Sequence, residues 1–262
     1  MKKTSVLFVV LVLFLGCAIL IGQAQKSQSK IGVKAPQGWY DITVPIKQGM
    51  VYNPVDPVAP KIYRLTDRAL GGGVTLSFME IITHTGTHID APLHFIADGS
   101  TISDMPLDAT VGPARVIEIK DPETIKVPEL KKHNIKKGER ILCKTRNSPV
   151  AYESPKFVED YVYLDGDAAD YLAEKGIALF GLDCITIGNY REEGSVVKTH
   201  QTLLSAGIYI LEDCALANVP AGEYELLCLP LLMYKGDAGP CHSRTWPSKL
   251  RLWTSASRKS AT

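Results

Sequence analysis

The sequence predicts one mixed α/β domain. Strand-like stretches fill the first half of the chain, helix signals come late, and neither an internal repeat nor a low-complexity linker divides it. With 45% hydrophobic and 22% charged residues, the chain can build a sizeable core and does not read as disordered. About 240 residues remain once the N-terminal segment is set aside, enough for one large domain or two small ones.

That N-terminal segment reads as an address label. MKK is a short basic region, and Ser5 to Gly22 is an unbroken run of apolar and small residues. Gly22-Gln23-Ala24 then puts small residues at −3 and −1 of a cleavage point before Gln25. A signal peptide over residues 1–24 is the first reading. A retained anchor, and a lipoprotein box at Phe14 to Cys17 with Phe where Leu is usual, are the alternatives. All three place the globular part outside the cytoplasm, periplasmic or secreted. Residues 25–38 form a polar, flexible leader, residues 39–254 the domain, and residues 255–262 a frayed tail.

Within the domain, WYDITVPIKQGMVY from Trp39 alternates like a strand, and NPVDPVAP is a proline-rich loop. Gly71-Gly72-Gly73 marks a turn. VTLSFMEIITH then reads as a strand with Val74, Leu76, Phe78 and Ile82 on one face. ARVIEIK from Ala114 and RILCKT from Arg140 are further strands. ADYLAEKGI is the best helix, with Asp167 as N-cap and Gly176 as stop. ALFGLD is a short buried strand, HQTLLSAG a short helix, and IYILED and YELLCLPLLM two more strands.

Charge and motifs narrow the function. Removing Lys2 and Lys3 with the signal leaves 27 basic against 28 acidic residues, a net of −1. That balance gives no electrostatic reason to expect nucleic acid or an anionic membrane as partner. No G-x-G-x-x-G, Walker A or G-x-S-x-G motif is present. Five cysteines survive cleavage, without a C-x-x-C pair. One or two disulfides, or buried free thiols in apolar runs, both fit.

The informative stretch is THTGTHIDAPLHF, Thr83 to Phe95, which holds three of the six histidines. His84, His88, Asp90 and His94 are all even-numbered and would share one face of a strand. A straight strand would hold the His84 and His88 backbones roughly 13 Å apart, too far for one ion. A helix is opposed by Gly86 and Pro92. A bend at Gly86 resolves this, folding His84 back toward His88 and Asp90. Two imidazoles and a carboxylate suit Zn²⁺, Mn²⁺ or Fe²⁺ and leave coordination positions for water and substrate. His94, just past Pro92, suits a proton shuttle beside the metal. A metal-free His/Asp catalytic site and a chance cluster are the alternatives.

The pattern H-x-G-T-H-x-D-x-P-x-H, His84 to His94, resembles the signature of the cyclase-like metal-dependent hydrolases, a family that includes bacterial kynurenine formamidase and isatin hydrolase. WYDITVPIKQGMVYNPVDP resembles the family's opening strand and turn, with Val51 where proline is usual. GDAADYLAEKGIALFGLD and THQTLLSAGIYILEDCALANVPAGEYELLCLPLLM resemble later segments, so the likeness runs from about residue 39 to 240. It implies a swivelling β/β/α fold, a mixed β-sheet rolled around the metal site with helices outside. It implies His84, His88 and Asp90 as ligands of a first metal and His94 as the catalytic histidine. It also implies His200 and Glu212, with a bridging Asp90, as holders of a second ion. A buried Glu212 without a cation would be costly, though a helix-capping His200 and an exposed Glu212 are the plain alternatives. The cofactor implied is one or two Mn²⁺ or Zn²⁺ ions, and the assembly a homodimer or homotetramer with partner loops reaching the pocket.

Thr186 and Gly188 stand where the family has Ser and Asp, and the segment from Gly236 to Trp246 diverges. The family's chemistry is therefore carried more strongly than any one substrate. The expected activity is metal-dependent hydrolysis of a small-molecule amide outside peptides, an aryl formamide such as N-formylkynurenine or a cyclic amide such as isatin. Action on another lactam or lactone, or metal binding without turnover, are the alternatives.

Overall fold

Buried strands, not helices, carry this molecule, and their order explains where the histidines meet. The structure is a computed structural model and describes residues 38–248. The expected signal peptide and tail, and all but the last residue of the expected leader, lie outside the described residues. Eight strands form one sheet: β1 (Tyr40–Asp41), β4 (His88–Asp90), β5 (Val111–Glu118), β7 (Arg140–Lys144), β9 (Leu179–Leu182), β10 (Tyr209–Glu212), β11 (Gly222–Pro230) and β12 (Ala238–Pro247). Their order is β1-β12-β11-β5-β7-β9-β10-β4, and β4 also pairs with β12. That last pairing closes seven strands into a barrel, with β1 attached at its seam. β5, β7, β9 and β10 run parallel to one another, while β4, β11 and β12 pair antiparallel.

Two cores follow from strand alternation. Ile89, Val116, Leu142, Leu179, Leu211, Leu226 and Cys241 point inward and fill the barrel. The opposite faces of the parallel strands, with Ile117, Ile141, Phe180, Leu182 and Ile210, pack against helices. Strands covered on both sides read as continuous apolar runs, which is why LFGL and YILE are buried throughout. The covering helices are α1 (Val127–Lys131), α3 (Gly166–Lys175) and α4 (Ser195–Ser205); α2 (Val150–Glu153) is a single turn. The sheet therefore rolls up with helices outside it, as the resemblance implied. Two-stranded sheets β2–β3 (Lys61–Thr66 with Leu76–Glu80) and β6–β8 (Thr124–Ile125 with Tyr163–Leu164) complete the described strands.

Several expectations need correcting. The helix at ADYLAEKGI starts at Gly166, and its cap is Asp165, whose side chain accepts from the Asp167 N–H; Gly176 ends it at φ +63°. The helix expected at HQTLLSAG begins five residues earlier, at Ser195, so His200 lies inside it and does not cap it. Only Tyr40–Asp41 of the first alternating stretch forms a ladder, with an isolated bridge from Thr43 to Cys214; the alternation is one of burial. β3 ends at Glu80, before Ile82, and its face bearing Leu76 and Phe78 is exposed. Cys143, Cys184, Cys214, Cys228 and Cys241 are all free and buried.

Candidate metal centre

The local chain path at Thr83 to His94 is what the residues there require. Gly86 takes φ +64°, a region L side chains avoid, and the backbone turns sharply. A Cβ at this position would stand 3.2 Å from the Val44 carbonyl oxygen and 3.3 Å from Ile46 Cγ1, so space also favours glycine. Thr87 fixes the exit of the turn: its hydroxyl donates to the Asp213 carbonyl at 2.6 Å and accepts from the Val44 N–H at 2.8 Å. The bend brings the His84 and His88 ring centroids to 5.0 Å.

Register does the rest. His88 and Asp90 share the outward face of β4, with Ile89 turned into the barrel. His88 lies directly opposite Glu212 across the β4–β10 ladder, and Asp90 opposite Ile210. Directly opposed residues hold their Cβ atoms about 5 Å apart, within reach of each other's head groups. His88 Nε2 accordingly lies 3.3 Å from Glu212 Oε2 and 3.4 Å from Asp90 Oδ1. Helix α4 passes over this face and delivers His200, whose Nε2 lies 3.2 Å from Glu212 Oε1 and 3.7 Å from Asp90 Oδ2. His84 completes the set with Nδ1 at 3.0 Å from Asp90 Oδ1. All five expected ligands are thus brought together. Glu212 is 4% exposed, which removes the plain alternative of an exposed strand end.

The donor atoms fit a divalent cation. Two ligands bonded to one ion at tetrahedral angles stand about 3.4 Å apart, close to the separations here. His88 Nε2 and both Asp90 carboxylate oxygens are buried and have no hydrogen-bond partner in spite of these close approaches. Buried polar atoms without a partner are rare in native folds, and a bound cation is one thing that satisfies such atoms. The tautomers agree. His88 Nδ1 donates to the Gly86 carbonyl and His200 Nδ1 to the Val196 carbonyl, each at 2.7 Å. A carbonyl only accepts, so in the neutral rings both Nε2 atoms are left with lone pairs facing the cluster.

Charge points the same way. Burial opposes charge on His88, His84 and His200, yet neighbouring carboxylates outweigh it and hold all three above the ordinary histidine range, His84 at about 9. Burial would likewise neutralise Asp90 and Glu212, but the imidazoles keep both ionised, below the ordinary carboxylate range. The two carboxylates demand positive charge, which protons supply here and a divalent cation would supply better.

His94 behaves differently. It sits in the short 3-10 turn Pro92–His94, its ring against that of His84 with centroids 3.9 Å apart and planes tilted by 33°. Burial, opposed by Asp90 and reinforced by His84 and His200, pushes it down to about 4, so its imidazole is neutral. It stands beside the cluster with 26% of its side chain exposed, more than any expected ligand.

Two neighbours escaped the sequence reading. Phe95 stacks against His200 at 4.5 Å and 28°, and its place directly after His94 was the only available signal. Asp237, in the divergent C-terminal segment, lies 3.0 Å from His84 Nε2 and 4.0 Å from His94 Nδ1.

Comparison with known proteins identifies the family. The sequence profile of the Cyclase family matches residues 40–189. A kynurenine formamidase from Bacillus cereus is 34% identical over 203 residues, 77% of this chain and 94% of that protein. A solved structure described as a predicted metal-dependent hydrolase from Bacillus stearothermophilus is 35% identical with a TM-score of 0.68, covering 79% of this chain and 97% of that one. Isatin hydrolase A from Ralstonia solanacearum shares the fold at 20% identity, with a TM-score of 0.69 and 80% and 92% coverage. Fold and site together define a metal-dependent hydrolase. The chain belongs to the cyclase family.

Proposed function

We propose that this enzyme hydrolyses a small amide outside peptides, an aryl formamide or a strained cyclic amide, with His94 moving the proton. The observation that carries the reading is the buried, unaligned donor set of His88 and Asp90 beside a neutral, accessible His94. The hydrolase acts on C–N bonds other than peptide bonds. His84, His88 and Asp90 would hold one ion, and Asp90, His200 and Glu212 a second. When bound, a divalent ion here supplies Lewis acidity, lowering the pKa of water and polarising a carbonyl. His94 takes a proton from the attacking water and returns it to the departing nitrogen. The donor set of imidazole and carboxylate accepts both Zn²⁺ and Mn²⁺.

Hydrolysis of N-formylkynurenine and isatin by protein stripped of metal, then resupplied with Mn²⁺ or Zn²⁺, tests the reading. Turnover of either substrate that returns only with metal supports it. Metal bound without turnover of either moves the search to other lactams and lactones.

We further propose that the chain is exported and works as a homo-oligomer. The basic and apolar N-terminus supports the first. The second is supported by the β2–β3 hairpin, which leaves Tyr63, Leu65, Leu76 and Met79 each at least half exposed. N-terminal sequencing of exported protein beginning at Gln25, and a light-scattering mass of two or four chains, are expected. A cytoplasmic monomer would refute both.

A further inference from the structure

Each histidine of the cluster has an outer acceptor, and the three acceptors are not alike. His88 and His200 use backbone carbonyls, which no substitution removes. His84 uses a side chain: its Nε2 lies 3.0 Å from Asp237 Oδ2. We propose that Asp237 is the positioning residue of this centre, fixing His84 so that Nδ1 faces the ion and so that the ring supports His94. The inference rests on the metal reading above.

The carboxylate is fixed, although 41% of its side chain is exposed. Thr83 Oγ1 donates to Asp237 Oδ1 at 3.0 Å, leaving Oδ2 for His84. The backbone is held as well, because the Ala91 N–H donates to the Asp237 carbonyl at 2.9 Å. Directly after it, Ala238 pairs with Asp90 in the β12–β4 ladder. The seam that closes the barrel therefore places Asp237 beside His84, some 150 residues earlier in the chain.

The orientation has two consequences. A carboxylate that accepts Nε2–H leaves the Nδ1 lone pair directed at Asp90 Oδ1, 3.0 Å away, where an ion would sit. A rotated His84 would present its N–H to that position instead. The same ring lies against His94 at 3.9 Å between centroids, tilted by 33°, with His94 Nδ1 only 4.0 Å from Asp237 Oδ2. One carboxylate thus sets both the ligand and the base.

The test is Zn²⁺ affinity of the full chain, measured by competition with a chelating indicator, for wild type, Asp237→Asn, Asp237→Glu and Asp56→Asn. Asp56 is a half-buried carboxylate that feels the charge of His84 and His88 and serves as the control for charge alone. Expected is a loss of about 10–100-fold in affinity for Asp237→Asn, typical of outer partners of ligating histidines, in a metal-free protein that still unfolds cooperatively. Partial recovery in Asp237→Glu and an altered visible spectrum of the Co²⁺-loaded Asn variant are also expected. Wild-type affinity and spectrum in Asp237→Asn would overturn the proposal, as would an equal loss in Asp56→Asn. If the Asn variant does not fold, Thr83→Val replaces it, and unchanged affinity there overturns the proposal. A wild-type chain that binds no metal would instead overturn the metal reading itself.

Discussion

His94 differs from the other histidines of the centre in ways that suit the separate task proposed for it. It is neutral, less buried than the expected ligands, and lies against the His84 ring at a tilt of 33°. A ligand removed from such a centre takes the metal with it, whereas a proton shuttle removed leaves the metal in place. His94→Ala should therefore bind Zn²⁺ as wild type does and lose about 10²–10⁴-fold in kcat, the ordinary contribution of a general acid–base group. Equilibrium metal binding and steady-state rates measured on the same preparation check this. Loss of metal together with activity would make His94 a ligand and leave the proton without a carrier. At this scale the sequence was legible, because His84, His88, Asp90 and His94 lie within one short segment whose spacing carries the geometry. Asp237 was not, because nothing local marks an aspartate that acts only after β12 has reached β4.

Among the elements, the turn at Gly86 joins two requirements that a strand alone cannot meet. β4 must keep His88 opposite Glu212, and His84 must return to the same face. Gly86→Ala would place a side chain at φ +64° and press it against Val44 and Ile46. The expected cost is about 1–2 kcal/mol of stability, read from denaturant unfolding of metal-free protein. Zinc affinity should fall as well, because the turn that aims His84 and the carbonyl that holds His88 Nδ1 both shift. Unchanged affinity in a destabilised variant would show that the turn serves the fold only. The bend was readable from the conflict between strand spacing and shared ligation. β12 was not readable: Gly239 and Pro240 interrupt any strand pattern, and the inward row Cys241, Ser243 and Thr245 is small and partly polar. Helix α4 was read too short because Ser195 to Thr199 follow an uncapped Gly194 and carry no sequence-level start signal.

For the whole molecule, a centre that holds an ion would act as a clasp on the closed barrel. Its donors come from the turn before β4, from β4, from helix α4 and from the end of β10, so an ion held there ties the helix to the seam of the sheet. Without an ion, two buried carboxylates depend on protonated imidazoles for their charge balance. A ligand that binds only the folded state stabilises it by about 4 kcal/mol when its free concentration is a thousand times Kd. For a domain of this size each kcal/mol moves Tm by about 2–4 °C. Stripping the metal with a chelator should therefore lower Tm by roughly 8–16 °C, and re-addition of Zn²⁺ should restore it. Asp90→Asn, which removes the carboxylate shared by both proposed donor sets, should melt at one temperature with or without zinc. A wild-type Tm that ignores verified metal loss would mean that the barrel and helix α4 are held by their apolar cores alone, and that the cluster, whatever it binds, contributes nothing to keeping the seam closed.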